Sequence, residues 1–142
     1  MPKQQHILRL TLPIPPGINE QYATVNGMRV TTAVARRFKL QVHETIMALE
    51  RQGKISPTLR AHLRQDYLTL FLAFYFETPF KRDLDGGLKI TQDAICEALG
   101  VNDNRVVSIH LLKYIDPLHP HLDVELEAID DWKFDEEYRI LQ

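Results

Sequence analysis

The chain has little cysteine and no long apolar run. Cys96 is the single cysteine among 142 residues, so no intrachain disulfide and no thiolate zinc site can form. We expect this thiol to be a small buried apolar group in a reducing compartment. No stretch approaches the roughly 18 apolar residues of a membrane span, and residues 1–6 lack the apolar core of a secretory signal. These absences predict a cytoplasmic protein that makes no membrane contact.

Extremes of composition are also missing. Hydrophobic residues make up 44% of the chain and charged residues 25%, which are ordinary values for a soluble domain and exclude a disordered protein. The length suits one domain and is too short for a multi-domain enzyme. We predict a single domain over residues 1–142, in which residues 130–142 form a mobile acidic tail.

The net charge of −2 hides an uneven distribution. Residues 1–82 hold twelve Lys and Arg against five Asp and Glu, whereas residues 83–142 hold five against fourteen. A basic half indicates a polyanionic partner, and an acidic half repels one. Any contact with nucleic acid is therefore expected to be local. A solvated strand face and the tail account for the eight acids of the last twenty residues.

Apolar and polar residues alternate along residues 6–12, which predicts a β-strand, and residues 105–114 and 121–129 are interpreted as two further strands joined by a loop with two prolines. The aromatic run 67–76 predicts a central strand. Asn26-Gly27 favours the positive φ angles of a type I′ turn and predicts a hairpin that carries Arg29.

Two segments predict helices. The first opens at Thr31 or Thr32, carries an apolar stripe of helical spacing and ends near Gly53, and the second runs from Asp85 as N-cap to Gly100. Residues 56–64 are interpreted as a polar connector. The order β, hairpin, α, β, α, β, β predicts an α/β (α+β) domain with one mixed sheet and helices packed against it.

Residues 81–93 concentrate groups that carry chemistry. Asp83 and Asp85 flank Leu84 where a strand exit becomes a helix start, so their carboxylates can converge while the leucine turns to the core. Paired carboxylates suit a hard divalent cation such as Mg²⁺. At 100° per residue, Asp85, Lys89 and Asp93 stack on one helix face. Spacing alone favours a simpler explanation, a capping aspartate with an i,i+4 ion-pair ladder.

Other polar groups carry less information alone. Asn102-Asp103-Asn104 forms a second polar cluster, which by itself indicates an Asx turn. His119 and His121 lie on a proline-bracketed loop without a third ligand at suitable spacing, so we do not expect a zinc site there.

Several residue types recur together at fixed spacing. They are Leu12-Pro13-Ile14-Pro15-Pro16-Gly17-Ile18-Asn19, Arg82-Asp83-Leu84-Asp85 with Lys89 following, Asp93-Ala94, and Gly100-Val101 leading to Asp103 and Val106-Val107. This set resembles the RusA family of Holliday-junction resolvases. The resemblance spans about residues 12–113 and is densest over residues 82–107.

The resemblance implies a small, homodimeric, Mg²⁺-dependent DNA endonuclease that acts on branched DNA such as a four-way junction and needs no small-molecule cofactor. Asp83, Asp85 and Asp103 stand where that family has its catalytic, metal-binding carboxylates, and Lys89 stands where it has an essential lysine. Mn²⁺ is a second candidate for the same metal site.

Two residues depart from the family pattern. Gly86 stands where the family usually has Asn, which removes a polar side chain beside the metal site. Asn102 replaces the first residue of a frequent Asp-Asp pair, so its carbonyl oxygen can coordinate but adds no charge. A catalytically weak relative that binds branched DNA is therefore one alternative function. A metal-dependent phosphoesterase acting on a small substrate is the other.

Basic residues near this motif are candidates for contacts with the DNA backbone. They are Arg82 and Lys81 beside the carboxylates and Arg29 on the hairpin.

Helix length raises a question about how the three carboxylates meet. Asp85 and Leu99 are fourteen residue steps apart, which is roughly 21 Å at about 1.5 Å per helical residue. Asp103 is then expected near the end opposite Asp83 and Asp85, and a two-fold dimer would complete each site from two chains. The alternative is a shorter helix, or a chain that folds back along it after Gly100.

Overall fold

The structure is a computed structural model that describes residues 5–135. The described residues form six strands and four α-helices in the order β1 (His6–Leu12), α1 (Ile18–Gln21), β2 (Tyr22–Val25), β3 (Met28–Thr31), α2 (Ala33–Arg51), α3 (Pro57–Gln65), β4 (Tyr67–Phe76), α4 (Leu88–Leu99), β5 (Val106–Ile115) and β6 (His121–Ile129). A 3₁₀ turn, Asp103–Arg105, precedes β5. No helix within the described range is long and apolar enough to cross a membrane.

Four strands form one mixed sheet in the order β1-β6-β4-β5. The central strand β4 runs parallel to β5 and antiparallel to β6, and β6 pairs antiparallel with β1. The parallel pair requires a crossover, which α4 provides. The predicted α/β domain with a single mixed sheet is thus confirmed, as is the central position of β4.

Strand alternation decides which face of the sheet carries the core. Every second residue of β1, β4 and β6 is buried, and these residues join one hydrophobic cluster with the buried faces of α2 and α4. The opposite face is partly exposed and carries polar side chains together with the aromatic rings of Tyr67, Phe71 and Tyr75. There Arg9 Nε donates to Glu125 at 2.9 Å, and the Thr11 hydroxyl donates to Asp123 at 2.9 Å. The acids of β6 are therefore explained as a solvated strand face.

The predicted hairpin is confirmed as β2 and β3, a two-stranded sheet separate from the main one. Asn26 and Gly27 both adopt positive φ, 51° and 76°, as a type I′ turn requires. Thr32 then caps α2, since its hydroxyl accepts from the Ala35 amide at 3.2 Å. The four-residue helix α1 was not predicted.

The prediction of a polar connector over residues 56–64 is wrong, because α3 occupies this segment. Ser56 is its N-cap and accepts from the Leu59 amide at 3.0 Å, and Pro57 stands at the first helical position. Leu63 is its buried residue and belongs to the core. A short helix with so narrow an apolar stripe resembles a loop in composition.

The predicted start of α4 is also wrong. The helix begins at Leu88 with Gly87 as N-cap, so residues 84–87 form a turn and Asp85 is not a capping residue. Gly86-Gly87 disfavours a helix because glycine loses more backbone entropy than other residues on becoming helical. The predicted end is correct, because Gly100 adopts a left-handed conformation with φ 69°.

Part of the predicted tail, residues 136–142, lies outside the described residues. Within the described part, the Phe134 ring packs edge-on against Trp132 and against Tyr67 of β4, with a centroid distance of 5.5 Å to Tyr67.

Candidate metal and nucleic-acid site

Residues 83–87 form the segment that we call the acidic turn. Asp83 and Asp85 are both exposed, while Leu84 is half-buried against the core, as predicted. Main-chain hydrogen bonds shape the turn, from the Gly86 amide to the Asp83 carbonyl at 3.3 Å and from the Leu88 amide to the Asp85 carbonyl at 3.2 Å. Among residues 5–135, no hydrogen bond or ion pair occupies the carboxylate of either aspartate, so their oxygens are available to a ligand.

A rigid loop, residues 13–17, which we call the proline loop, lies against the acidic turn. Two of its three prolines, Pro15 and Pro16, are buried, and each ring fixes the φ angle of its own residue. The Gln21 side chain donates to the Pro16 carbonyl at 2.9 Å and to the Gly86 carbonyl at 3.0 Å. The Arg82 guanidinium donates to the Pro15 carbonyl at 2.6 Å. These bonds fix the acidic turn to the body of the domain.

Contact between Gly87 and the same loop is too close for any side chain. A Cβ atom added at Gly87 would lie 2.4 Å from Cγ of Pro15, whereas one added at Gly86 would meet only ordinary contacts, the nearest at 3.6 Å. The chain before the turn is fixed as well. The Lys113 ammonium, on β5, donates to the carbonyls of Pro79 and Arg82 at 3.0 and 2.8 Å.

Lys89 lies in the first turn of α4 and is exposed. Its ammonium bonds Asp93 one helical turn later at 3.2 Å, so this part of the predicted ladder is confirmed. The hydrogen bond and charge of Asp93 raise the pKa of Lys89 above its ordinary value, and the charge of Asp103 adds to the shift. Lys89 is therefore a cation at every physiological pH, and Asp103 lies within electrostatic range of it.

Asp103 opens the 3₁₀ turn beyond α4 and is half-buried. It lines a hollow of about 240 Å³ with Asp93, Cys96 and Asn102. The Asn102 side chain accepts from the Asn104 amide at 3.1 Å, which is the predicted Asx turn. Cys96 is buried, as expected, and its burial raises the pKa of the thiol to about 11. At neutral pH it is a neutral thiol and a poor metal ligand.

The structure brings Lys89, Asp93 and Asp103 together, and it places Asp83 and Asp85 in the turn that leads into the same helix. Asp85 does not share the helical stack that spacing predicts, because α4 begins three residues after it. The shorter helix reduces the expected separation of Asp103 from the acidic turn, yet among residues 5–135 Asp83, Asp85 and Asp103 do not form one group that could hold an ion. The shared dimeric site stays a prediction.

Oxygen donors of this kind fit Mg²⁺. The ion is usually held by one or two carboxylates together with waters and substrate phosphates, not by a complete protein cage. The acidic turn offers two exposed carboxylates that have no partners among residues 5–135. Within the described range, no three His, Cys, Asp or Glu side chains lie close enough to hold one ion. A site of two carboxylates that depends on a phosphate ligand is consistent with both observations.

The basic residues predicted to bind DNA differ in whether their side chains are already engaged within the protein. Lys81 is exposed, and its ammonium makes no hydrogen bond or ion pair in the part of the chain that the structure describes. Arg29, on the hairpin, lies over the Tyr22 ring at 3.9 Å from its centroid. Arg82 is half-buried and committed to the Pro15 carbonyl, so it positions the turn.

Sequence reasoning missed Gln21 and the structural role of Arg82. No spacing signal indicates either, because their partners lie 65 and 67 residues away along the chain. His121 begins β6 and does not lie on the loop with His119.

No protein-family model matches the chain, and no curated protein matches it.

Two adjacent glycines test how closely the acidic turn is packed. We expect Gly87→Ala to lower the free energy of unfolding by about 1–3 kcal/mol, since its methyl group would overlap Pro15. Gly86→Ala is the matched control and should change stability by less than about 1 kcal/mol. Urea unfolding of both variants measures the difference, and equal stabilities would contradict the packing described here.

Proposed function

We propose that this protein is a cytoplasmic, Mg²⁺-dependent endonuclease that cleaves four-way DNA junctions as a homodimer. The observation that carries the proposal is the acidic turn. Its two exposed carboxylates, Asp83 and Asp85, have no partners among the described residues and lie next to Lys89 in the chain. The residue pattern that resembles the junction resolvases supports the choice of substrate.

Phosphodiester hydrolysis needs an in-line water and neutralisation of charge on the non-bridging oxygens. Charge neutralisation and activation of the water are the chemistry that Mg²⁺ supplies when bound. Asp83 and Asp85 would hold the ion, with Mn²⁺ as a substitute. The acidic turn is fixed before any ligand arrives, so these carboxylates need little reorganisation.

Lys89 presents a permanent positive charge on the first turn of α4, four residues after Asp85 in the chain. Its pKa is raised, first by Asp93, so it stays protonated and serves as a point charge and not as a general base. We assign it to the scissile phosphate. Asp93 holds the ammonium at 3.2 Å and would orient it.

Asp103 is the third proposed carboxylate. Its charge acts on Lys89 of the same chain. Cleavage of two strands at a nearly two-fold symmetric junction requires two such sites, and a dimer with a dyad supplies them.

Contacts with DNA outside the reaction centre are assigned to Lys81, to Arg29 on the exposed hairpin and to Arg82. The Arg82 contact would use guanidinium hydrogens other than those bonded to Pro15. Of the sheet acids, Glu125 is paired with the Arg9 guanidinium, whereas Asp123 accepts from the neutral Thr11 hydroxyl.

A fixed synthetic four-way junction tests the proposal directly. With Mg²⁺, wild-type protein should cut the junction and leave a linear duplex of the same sequence intact. Asp85→Asn should abolish cleavage and preserve or strengthen junction binding, because the substitution removes a metal ligand and also a charge that repels phosphate. Asp123→Asn, on the exposed face of the sheet, is the control for loss of one negative charge and should cut normally.

Each alternative gives a different result in this assay. Junction binding without cleavage by wild-type protein would favour the non-cutting relative, and hydrolysis of small phosphodiesters without preference for DNA would favour the phosphoesterase. Cleavage by Asp85→Asn within a few-fold of wild type would contradict the metal assignment.

Removal of the Lys89 charge should affect the reaction more than binding. We expect Lys89→Ala to lower the single-turnover rate by about 100-fold or more with little loss of junction affinity, because its charge acts on the transition state. Lys54→Ala, beyond the C-terminal end of α2, is the matched control. Equal losses of rate and affinity in Lys89→Ala would make this residue a phosphate anchor.

A further inference from the structure

Gln21 is unusual among the polar residues of the domain because its side chain is buried, at 6% exposure. Thr91 is the other buried polar residue in the described part of the chain, and its hydroxyl bonds a carbonyl one turn earlier, at Gly87. The Gln21 amide instead connects segments that are distant in sequence. Its burial therefore serves contacts between elements.

Both donors of the Gln21 amide are used. One hydrogen goes to the Pro16 carbonyl and the other to the Gly86 carbonyl, at 2.9 and 3.0 Å. The main-chain carbonyl of Gln21 accepts from the Thr32 amide at 3.0 Å, at the base of the hairpin. One residue thus joins the proline loop, the acidic turn and the hairpin.

The chemistry of this side chain suits its place. A Lys or Arg could donate to the same carbonyls, but its charge would attract Asp83 and Asp85 and compete with a cation for them. A Glu or an apolar side chain would leave the Gly86 carbonyl without a donor. A neutral amide holds the turn and leaves its carboxylates free.

We propose that Gln21 is a positioning residue, which fixes the acidic turn so that Asp83 and Asp85 can bind a divalent cation. The effect of Gln21 on cation binding rests on the proposed function, whereas the fixing of the acidic turn by its hydrogen bonds does not. Gln21 touches neither the substrate nor the reacting atoms in this account.

Gln21→Met tests whether Gln21 fixes the acidic turn, because methionine has a similar volume and no hydrogen-bond donor. We expect amide hydrogen exchange at Gly86 and Leu88 to accelerate at least about tenfold, while amides of β4 stay protected. Ser56→Ala is the control, since it removes the cap of α3 and lowers stability without touching the acidic turn. Gln21→Asn, whose amide is one methylene shorter, provides a second variant and should change exchange in the same direction.

Metal binding tests the consequence. Calorimetric titration with Mn²⁺ alone, without DNA, should give an affinity about tenfold lower in Gln21→Met than in wild type, and the same affinity in Ser56→Ala. The Mg²⁺ concentration for half-maximal cleavage should rise to match. A loss of stability alone would not move either quantity.

The outcomes separate the two claims. Unchanged exchange and unchanged Mn²⁺ affinity in both Gln21 variants would overturn the inference and leave the proposed function intact. If wild-type protein binds no Mn²⁺ while the turn loses protection in Gln21→Met, the proposed function and the effect of Gln21 on cation binding fail, and the fixing of the acidic turn by Gln21 stands.

Discussion

The candidate site depends on how a short turn with two negative charges is held still. Asp83 and Asp85 repel each other, and the Gly86-Gly87 pair gives the backbone little stiffness of its own. The proline loop supplies the missing rigidity through main-chain carbonyls that accept from Gln21 and Arg82. Since none of these bonds engages a carboxylate, the turn is ordered and its carboxylate oxygens remain open to a ligand.

The strands were predictable because their signals are local. The alternation along β1 and the aromatic run of β4 predict strands with the observed limits, and Asn26-Gly27 specifies the hairpin. The helices were less predictable. In α3 the Ser56-Pro57 start was present in the sequence, but the charged residues around Leu59 and Leu63 outweighed it. In α4 the apolar stripe extended the predicted helix N-terminally past Gly86 and Gly87, which precede its first residue.

The candidate site likewise has parts that the sequence could predict and parts that it could not. The ion pair between Lys89 and Asp93 follows from i,i+4 spacing and could be predicted. The hydrogen bond from Gln21 to Gly86 could not, because no pattern in a single sequence relates a glutamine to a carbonyl 65 residues away. The position of Asp103 depended on the true length of α4 and on the path of the chain after Gly100. Those features belong to tertiary structure.

The central claim is that the acidic turn binds a divalent cation, and Mn²⁺ titration followed by NMR tests it most directly. Paramagnetic broadening should appear first at the amides of residues 83–88 at the lowest Mn²⁺ concentrations. The acids of β6, Asp123, Glu125 and Glu127, provide an internal comparison, since they form another acidic surface on the same molecule. Broadening that begins at residues 123–127 and spares the acidic turn would contradict the account.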